Sequence, residues 1–192
     1  MKHVSVIQHT QSEWLGQIED HLEGRGIRFG YFRPFTTGGS IPPASVVGDG
    51  LILLGGGPWG TCAPGPVLPT LDPEIRLARA CLMLGKPVIG IGLGSQILAL
   101  AADGSVEAAP LTLSVGEARR VADDALGGLL PEHFPSVVYM RDRPVPPSYA
   151  TTLAVDERGY SALFQVAPNA FGFTGHPGVR RAMIEDLVME FD

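Results

Sequence analysis

Apolar residues follow two alternating patterns along the first half of the chain. Short runs rich in β-branched residues, typical of buried strands, alternate with segments whose apolar residues recur at helical spacing. The predicted strands cover residues 4–8, 28–32, 51–54 and 87–91. The predicted helices cover about residues 13–23 after an N-cap at Ser12, residues 73–84 from Pro73 to a stop at Gly85, and about residues 95–102. This alternation predicts an α/β fold with a doubly wound, mostly parallel sheet and helices on both faces.

The second half of the chain has a weaker pattern. Its apolar residues predict strands, several of them antiparallel, at residues 114–121, 137–140, 151–156, 161–166 and 170–174. A last helix is predicted over about residues 179–191, with inward-facing residues Ala182, Met183, Leu187, Val188 and Phe191. The length of 192 residues and the lack of internal repeats predict a single domain over residues 1–192.

Composition and charge narrow the classes of function. The 45% apolar and 18% charged residues are typical of a globular protein. A net charge of −6 disfavours nucleic-acid binding, because a polyanion is repelled on average. No segment approaches the roughly 18–20 consecutive apolar residues of a membrane span. Cys62 and Cys81 have no metal or redox spacing, so we expect a cytoplasmic protein with reduced thiols, no metal and no cofactor.

Residues 90–96 join a predicted strand to a predicted helix. Small residues on both sides of a central position at such a junction are typical of a nucleophile elbow, which exposes the central side chain beside backbone N–H groups. That setting lowers the pKa of a thiol and stabilises an oxyanion. Here the central residue is Gly92, which adopts positive φ without strain. On spacing alone, the glycines fit a simple tight turn of any α/β protein equally well.

The residue types of this segment resemble class I glutamine amidotransferases, whose elbow reads Gly-Ile-Cys-Leu-Gly-x-Gln. Residues 51–58 are similar to the third strand of that family and its Gly-Gly-Pro loop. Residues 168–179 are similar to its closing segment, Gly-Phe-Gln-Phe-His-Pro-Glu-Val. The resemblance spans roughly residues 4–179 and is strongest for stand-alone proteins related to the GMP synthase glutaminase domain. It implies the flavodoxin-like amidotransferase fold.

The resemblance also implies a catalytic site with three departures. The nucleophile position falls on Gly92, that of the general base on His176, and that of the orienting glutamate on Gly178. A His-Trp-His segment that often follows Phe-Pro in this group is absent after Phe134-Pro135. The ligand and oxyanion contacts fall on Gly56, Gly57, Pro58, Leu93 and Gln96. Because thioester formation needs a thiolate and an oriented base, these departures imply lost glutaminase activity.

Several residues have two interpretations. Cys62, in the loop after Gly57, is either an alternative nucleophile or a small, partly buried loop residue. His176 is either a remnant base beside Gly92 or a structural residue bonded to a backbone carbonyl. His9, at the carboxyl edge of the sheet, either lines the same crevice or is solvated, and we expect the solvated side chain. The other expectations are a helix cap for Ser95, core packing for Cys81 and a surface turn for Arg141-Asp142-Arg143.

Two hypotheses of function follow. In the first, the protein is non-catalytic and either senses a small amino-acid-like ligand or docks on a synthase or other protein partner, with homo-oligomers also compatible. In the second, it is an active hydrolase or amidotransferase that uses another nucleophile in the same crevice, such as Cys62 or a water molecule activated by His176. An open crevice at Gly92 favours ligand binding, whereas one filled by Trp59 or Tyr139 favours a scaffold. If Gly92 were an engineered replacement of a catalytic cysteine, that single change would not explain why Gly178 stands at the position of the glutamate.

Overall fold

A computed structural model describes residues 1–191 of the chain. Parallel strands form one half of its nine-stranded sheet. In chain order they are β1 (His3–Ile7), β2 (Arg28–Phe32), β3 (Gly50–Leu53), β4 (Val88–Ile91) and β11 (Ala170–Phe173). Their spatial order, β2-β1-β3-β4-β11, changes direction between β1 and β3. The loops at the carboxyl ends of β1, β3 and β4 therefore meet at one edge, where open α/β sheets bind ligands.

Antiparallel strands extend this sheet beyond β11. They are β6 (Thr112–Arg120), β7 (His133–Met140), β9 (Thr151–Asp156) and β10 (Ser161–Ala167). Their spatial order after β11 is β10-β9-β6-β7. Two further strands, β5 (Ser105–Glu107) and β8 (Arg143–Val145), pair in a separate small sheet. The sequence pattern misses both because three residues are too few to show an alternation.

The helices cover both faces of the parallel half. They are α1 (Gln17–Glu23), α2 (Leu71–Met83), α3 (Leu93–Ala101) and α4 (Arg181–Phe191). Leu51 and Leu53 of β3 pack in one core cluster with residues of α2 and α3, while Ile52 packs in another with residues near α1. This burial on both faces explains the continuous apolar run of the strand. The predicted α/β class is confirmed. Within residues 1–191, no helix combines the length and apolar character needed to cross a membrane.

The first predicted helix begins four residues too early. α1 starts at Gln17, with Gly16 and not Ser12 at its N-cap. Gly16 has a φ of 61°, and a Cβ there would lie 2.0 Å from the carbonyl oxygen of Gly178. The chain therefore bends at this close backbone contact, and Glu13 lies in a loop, although the apolar spacing continues through it.

The boundaries at α3 and α4 also differ from the prediction. α3 begins at Leu93, so Ser95 lies inside its first turn, and its hydroxyl donates to the carbonyl of Gly92 at 2.6 Å. α4 begins at Arg181, and Ala182 is exposed, whereas Met183 is buried as predicted. The apolar stripe by which α4 packs on the rest of the domain is therefore narrower than its sequence suggests.

Candidate functional site

Gly92 forms the corner between β4 and α3. Its φ of 55° and ψ of −118° are readily adopted by glycine and costly for other residues. The corner is fixed by backbone bonds, since its N–H donates to the carbonyl of Phe173 (2.8 Å) and its carbonyl accepts from the N–H of Ser95 (2.9 Å). A Cβ at Gly92 would lie 3.3 Å from Cα of Gly55 and 3.8 Å from Oε1 of Glu13. A side chain here would therefore point at those two residues.

The glycine loop after β3 lies directly against this corner. A Cβ on Gly55 would lie 1.6 Å from Oε1 of Glu13, and one on Gly56 would lie 2.2 Å from Cδ2 of Leu93. The backbone N–H of Gly57 donates to Oε2 of Glu13 at 3.3 Å. The N–H group predicted to stabilise an oxyanion thus faces a carboxyl group of the protein itself.

Glu13 supplies this carboxyl group from the irregular loop before α1. Its side chain is buried, with 4% of the residue exposed, and it lines the corner cavity together with Gly92 and His176. Burial raises the pKa of Glu13 to about 7, although the bond from Gly57 and the charge of His9 oppose this shift. Near neutral pH the group is therefore close to half-protonated.

Replacing Glu13 with glutamine is expected to stabilise the protein at pH 8. The folded pKa of about 7 exceeds the ordinary value of 4.5. Between these values the folded state binds more protons, so stability falls as pH rises and stays reduced above pH 7. Each pH unit corresponds to about 1.4 kcal/mol, so a gain of about 1–3 kcal/mol at pH 8 and none at pH 4.5 is expected in urea unfolding. The exposed control Glu23→Gln should show no such difference, and a Glu13→Gln variant less stable at pH 8 would contradict the assignment.

His9 and Glu74 form a buried pair behind the glycine loop. Nε2 of His9 lies 2.7 Å from Oε2 of Glu74, and Nδ1 lies 3.1 Å from the carbonyl oxygen of Gly55. A carbonyl can only accept, so Nδ1 carries a proton. Burial by itself lowers the pKa of His9, but the charge and hydrogen bond of Glu74, with the Gly55 carbonyl, raise it overall. The expectation of a solvated His9 is wrong, because α2 brings Glu74 over the end of β1.

His176 lies at the same corner, and both of its ring nitrogens have partners. Nε2 lies 2.6 Å from the carbonyl oxygen of Trp14, and Nδ1 lies 3.0 Å from the backbone nitrogen of Gly178. The carbonyl can only accept and the backbone N–H can only donate, so the ring is neutral with its proton on Nε2. Burial lowers the pKa of His176. This geometry fits the structural interpretation, since neither nitrogen faces Gly92 with a free lone pair.

Gly178 lies in a tight backbone contact with the start of α1. Its carbonyl accepts from the N–H of Gln17 at 2.8 Å. A Cβ at Gly178 would lie 2.6 Å from the carbonyl oxygen of Leu15 and 2.7 Å from Cγ1 of Ile18. The present backbone therefore leaves no room for the glutamate that the resemblance expects at this position.

The last helix, α4, covers the corner. The ring of Phe191 lies so close to Gly57 that a Cβ there would be 2.5 Å from its Cε2 atom. Tyr139 of β7 lines the cavity as well. Its other apolar lining residues are Ile91, Val137, Val179, Met183, Ile184 and Leu187. The space that remains is about 10 Å³, near the lower limit for one water molecule. The corner is therefore closed to a molecule of amino-acid size.

Gln96 and Pro58, two of the predicted ligand contacts, have partners within the protein. The amide oxygen of Gln96 accepts from the hydroxyl of Thr61 (2.7 Å), and its nitrogen donates to the carbonyl of Arg141 (2.6 Å). The carbonyl of Pro58 accepts from Nε of Arg141 at 3.0 Å. These groups join the loop after Gly57 to the end of β7.

Asp142 holds the loop that contains Cys62. One carboxylate oxygen accepts the N–H groups of Thr61 (2.8 Å) and Cys62 (3.0 Å), and the other accepts from Ala109 (3.1 Å). The predicted surface turn at Arg141-Asp142-Arg143 is wrong, because only 5% of Asp142 is exposed and both arginines are half-buried. Burial and the charge of Asp142 raise the pKa of the Cys62 thiol. A nucleophilic cysteine needs the opposite shift.

Three buried ionisable residues at this edge were not read from the sequence. The sequence did not predict the burial of His9, and it did not place Glu13 or Glu74 at the site. His9 and Glu74 are 65 positions apart, so no local spacing connects them. A usable signal was the placement of His9 directly after a buried strand, where burial is common. Glu13 carried no signal, because its neighbours Trp14 and Leu15 continue the helical spacing of α1.

Comparisons with known proteins agree with this architecture. The sequence pattern of the family Glutamine amidotransferase class-I matches residues 47–172. The chain is 29% identical to a subunit of the glutamine-hydrolysing GMP synthase of Halobacterium salinarum, covering 99% of this chain and 96% of that protein.

Two solved structures share the fold. The glutamine amidotransferase of Methylobacillus flagellatus superposes with a TM-score of 0.86 at 24% identity, over 100% of this chain and 76% of that one. A glutamine amidotransferase of Thermotoga maritima gives 0.82 at 24% identity, over 99% and 82% of the two chains. These two structures show the shared fold, and the match of the family pattern to residues 47–172, more than half of the chain, shows that the chain belongs to the class I glutamine amidotransferase family.

Proposed function

We propose that this protein does not hydrolyse glutamine and acts as a regulatory subunit for a synthase or another protein partner. The observation that carries the proposal is the state of the corner at Gly92. No side chain projects there, the carboxyl group of Glu13 faces the N–H of Gly57 at 3.3 Å, and about 10 Å³ of space remains. The position that a substrate carbonyl would need is occupied from within.

The chemistry of amide hydrolysis supports the proposal. A thiolate must attack the amide, and a base with an available nitrogen must accept and return a proton. At this corner Gly92 offers no nucleophile, and the ring of His176 is engaged by Trp14 and Gly178. Cys62 is an unfavourable substitute because its thiol pKa is raised. An attack step therefore has neither of its two required groups.

Binding of a protein partner elsewhere on the surface is favoured over binding of a small ligand at the Gly92 corner. The relative from Halobacterium salinarum is named as one subunit of a synthase, and the similarity covers 96% of it. A surface for another subunit does not depend on the nucleophile, so it can persist when the chemistry is lost. The closed corner argues against the small amino-acid-like ligand at Gly92 itself.

The test is a coupled assay of glutamate release from L-glutamine. We expect no release above a buffer blank for the natural chain or for a Gly92→Cys variant, because the introduced thiol would meet Gly55 and Glu13 and lack a base. An active class I amidotransferase assayed in parallel shows that the assay works. Glutamate release that depends on this chain would overturn the non-catalytic part of the proposal.

The regulatory part needs its own measurement. The ammonia-dependent rate of a GMP synthase subunit from the same organism is measured with and without this chain. We expect the chain to form a complex in size-exclusion chromatography and to change that rate, while glutamine gives no activity. If no complex forms and the rate does not change, regulation of this synthase is contradicted.

A further inference from the structure

A second cavity lies on the face of the antiparallel half of the sheet, beyond Thr174, which also lines the closed corner. Its volume is about 280 Å³, close to the lower end of the roughly 300–1,000 Å³ of small-molecule sites. Hydroxyl side chains are concentrated in its lining: Thr112, Ser114, Ser136, Ser161 and Thr174. This cavity, unlike the corner, has room for a small metabolite.

The strand register places two of these hydroxyls, those of Ser114 and Ser136, on one face of the sheet. In the β6–β7 pair, Ser114 lies opposite Val138, and Gly116 lies opposite Ser136. Alternate residues of paired strands point to the same side of a sheet. The hydroxyl oxygen of Ser161 is buried and has no hydrogen-bond partner within residues 1–191. A buried hydroxyl left in this state is unfavourable, so Ser161 indicates a position where a polar group of a ligand is received.

Opposite charges lie side by side at the rim of this cavity. Glu157 and Arg158 are consecutive residues of the β9–β10 turn, and neither forms an ion pair with any residue between positions 1 and 191. The carboxylate of Glu157 extends over the cavity floor, where a Cβ on Gly116 would be 3.1 Å from its Oε1. Arg143 is different, because Glu107 neutralises it at 2.6 Å. The other carboxylates of the lining have partners within the protein: Glu117 lies 2.7 Å from Nδ1 of His133, and Asp142 and Asp156 accept backbone N–H groups. Glu157 and Arg158 are therefore the two charged side chains of the rim that lack a side-chain partner among residues 1–191.

We propose that this cavity binds an α-amino acid in its zwitterionic form. Glu157 faces the ammonium group, Arg158 pairs with the carboxylate, and the floor hydroxyls, Ser161 among them, bond the polar side chain. A guanidinium can bind a carboxylate through two parallel N–H groups. This site would give the amino-acid-like ligand a place away from Gly92. Its regulatory meaning rests on the proposed function. The binding itself is measured without any assay of activity.

The test is a titration of the full ¹⁵N-labelled chain with L-glutamine, followed by NMR. We expect saturable shifts of amides in β6, β7 and β10, including those of Ser114, Ser136 and Ser161. N-acetyl-L-glutamine lacks the ammonium group and L-glutaminamide lacks the α-carboxylate, so each should bind roughly tenfold more weakly. No saturable shifts up to the millimolar range, or shifts confined to the Gly92 corner, would overturn the inference.

Two variants assign the charges to their residues. In Arg158→Gln, L-glutamine should lose its advantage over L-glutaminamide but keep its advantage over N-acetyl-L-glutamine. In Glu157→Gln, the reverse should hold, and Glu23→Gln on α1 should bind like the natural chain. Unchanged discrimination in both rim variants would overturn the assignment. Glutaminase activity would refute the proposed function and leave this result standing, whereas absent binding would refute only this inference.

Discussion

Replacing Glu74 with alanine is expected to lower the free energy of unfolding by about 3–5 kcal/mol, because it leaves the buried imidazole of His9 without its charged partner. Both residues are buried, with 3% of His9 and 0% of Glu74 exposed. Glu74 also accepts the hydroxyl of Thr70 at 2.6 Å, so the truncation removes two bonds at once. Urea unfolding at pH 6 measures the loss.

Two controls separate the charge from the hydrogen bonds. Glu74→Gln keeps a side chain that can donate to Nε2 of a neutral His9, so its cost should be clearly smaller. The raised pKa of His9 means that the pair stabilises the fold fully below the ordinary histidine value of 6.5 and loses this contribution as pH rises through the folded pKa. That decline should disappear in Glu74→Ala. A cost no greater than that of Glu23→Ala on the exposed face of α1 would contradict the prediction.

Gly94→Ala is expected to destabilise the protein by about 3 kcal/mol or more. An added Cβ would lie 2.1 Å from the carbonyl oxygen of Leu53 and 2.6 Å from its carbonyl carbon. Both atoms belong to the backbone of β3, and the N–H of Gly94 also donates to the carbonyl of Leu54 at 3.1 Å. The methyl group can be accommodated only if α3 moves away from the sheet and Gly92 moves with it.

The matched control is Gly50→Ala in β3, the strand whose backbone an alanine at position 94 would meet. There the added Cβ would meet only ordinary contacts, 3.4 Å from the carbonyl oxygen of Pro87 and 3.9 Å from Cγ2 of Val4. We expect a change below about 1 kcal/mol for this variant. Thermal unfolding of the two variants, run side by side, distinguishes the steric requirement at Gly94 from a general cost of losing glycine. Equal unfolding temperatures for the two variants would refute the steric requirement at Gly94.

The parallel half of the fold could be predicted because its strands are buried on both faces. β2 matches its predicted bounds completely, and the other parallel strands differ by one residue at one or both ends. The corner at Gly92 could be located for a related reason, since a strand, a glycine-rich turn and an apolar helix follow one another within residues 88–101. These features are local, and local patterns report them directly.

The contents of the site could not be predicted, because they depend on contacts between distant segments. Phe191 covers Gly57 from 134 positions away, and nothing in the sequence of either segment requires this. Glu13 leaves the helical pattern only because Gly16 turns the chain toward Gly178, so its burial follows from a tertiary contact. The sequence therefore indicated which groups are missing from the corner but not which groups fill it.

The contact between Gly16 and Gly178 also limits which residues these two positions can hold. A side chain at Gly178 meets the carbonyl of Leu15, and one at Gly16 meets the carbonyl of Gly178. Neither position can drift alone while the other backbone stays in place. An acidic residue at 178 would therefore also need an insertion or a rebuilding of residues 15–18, so the two glycines tie the sequence of this loop to that of the segment before α4.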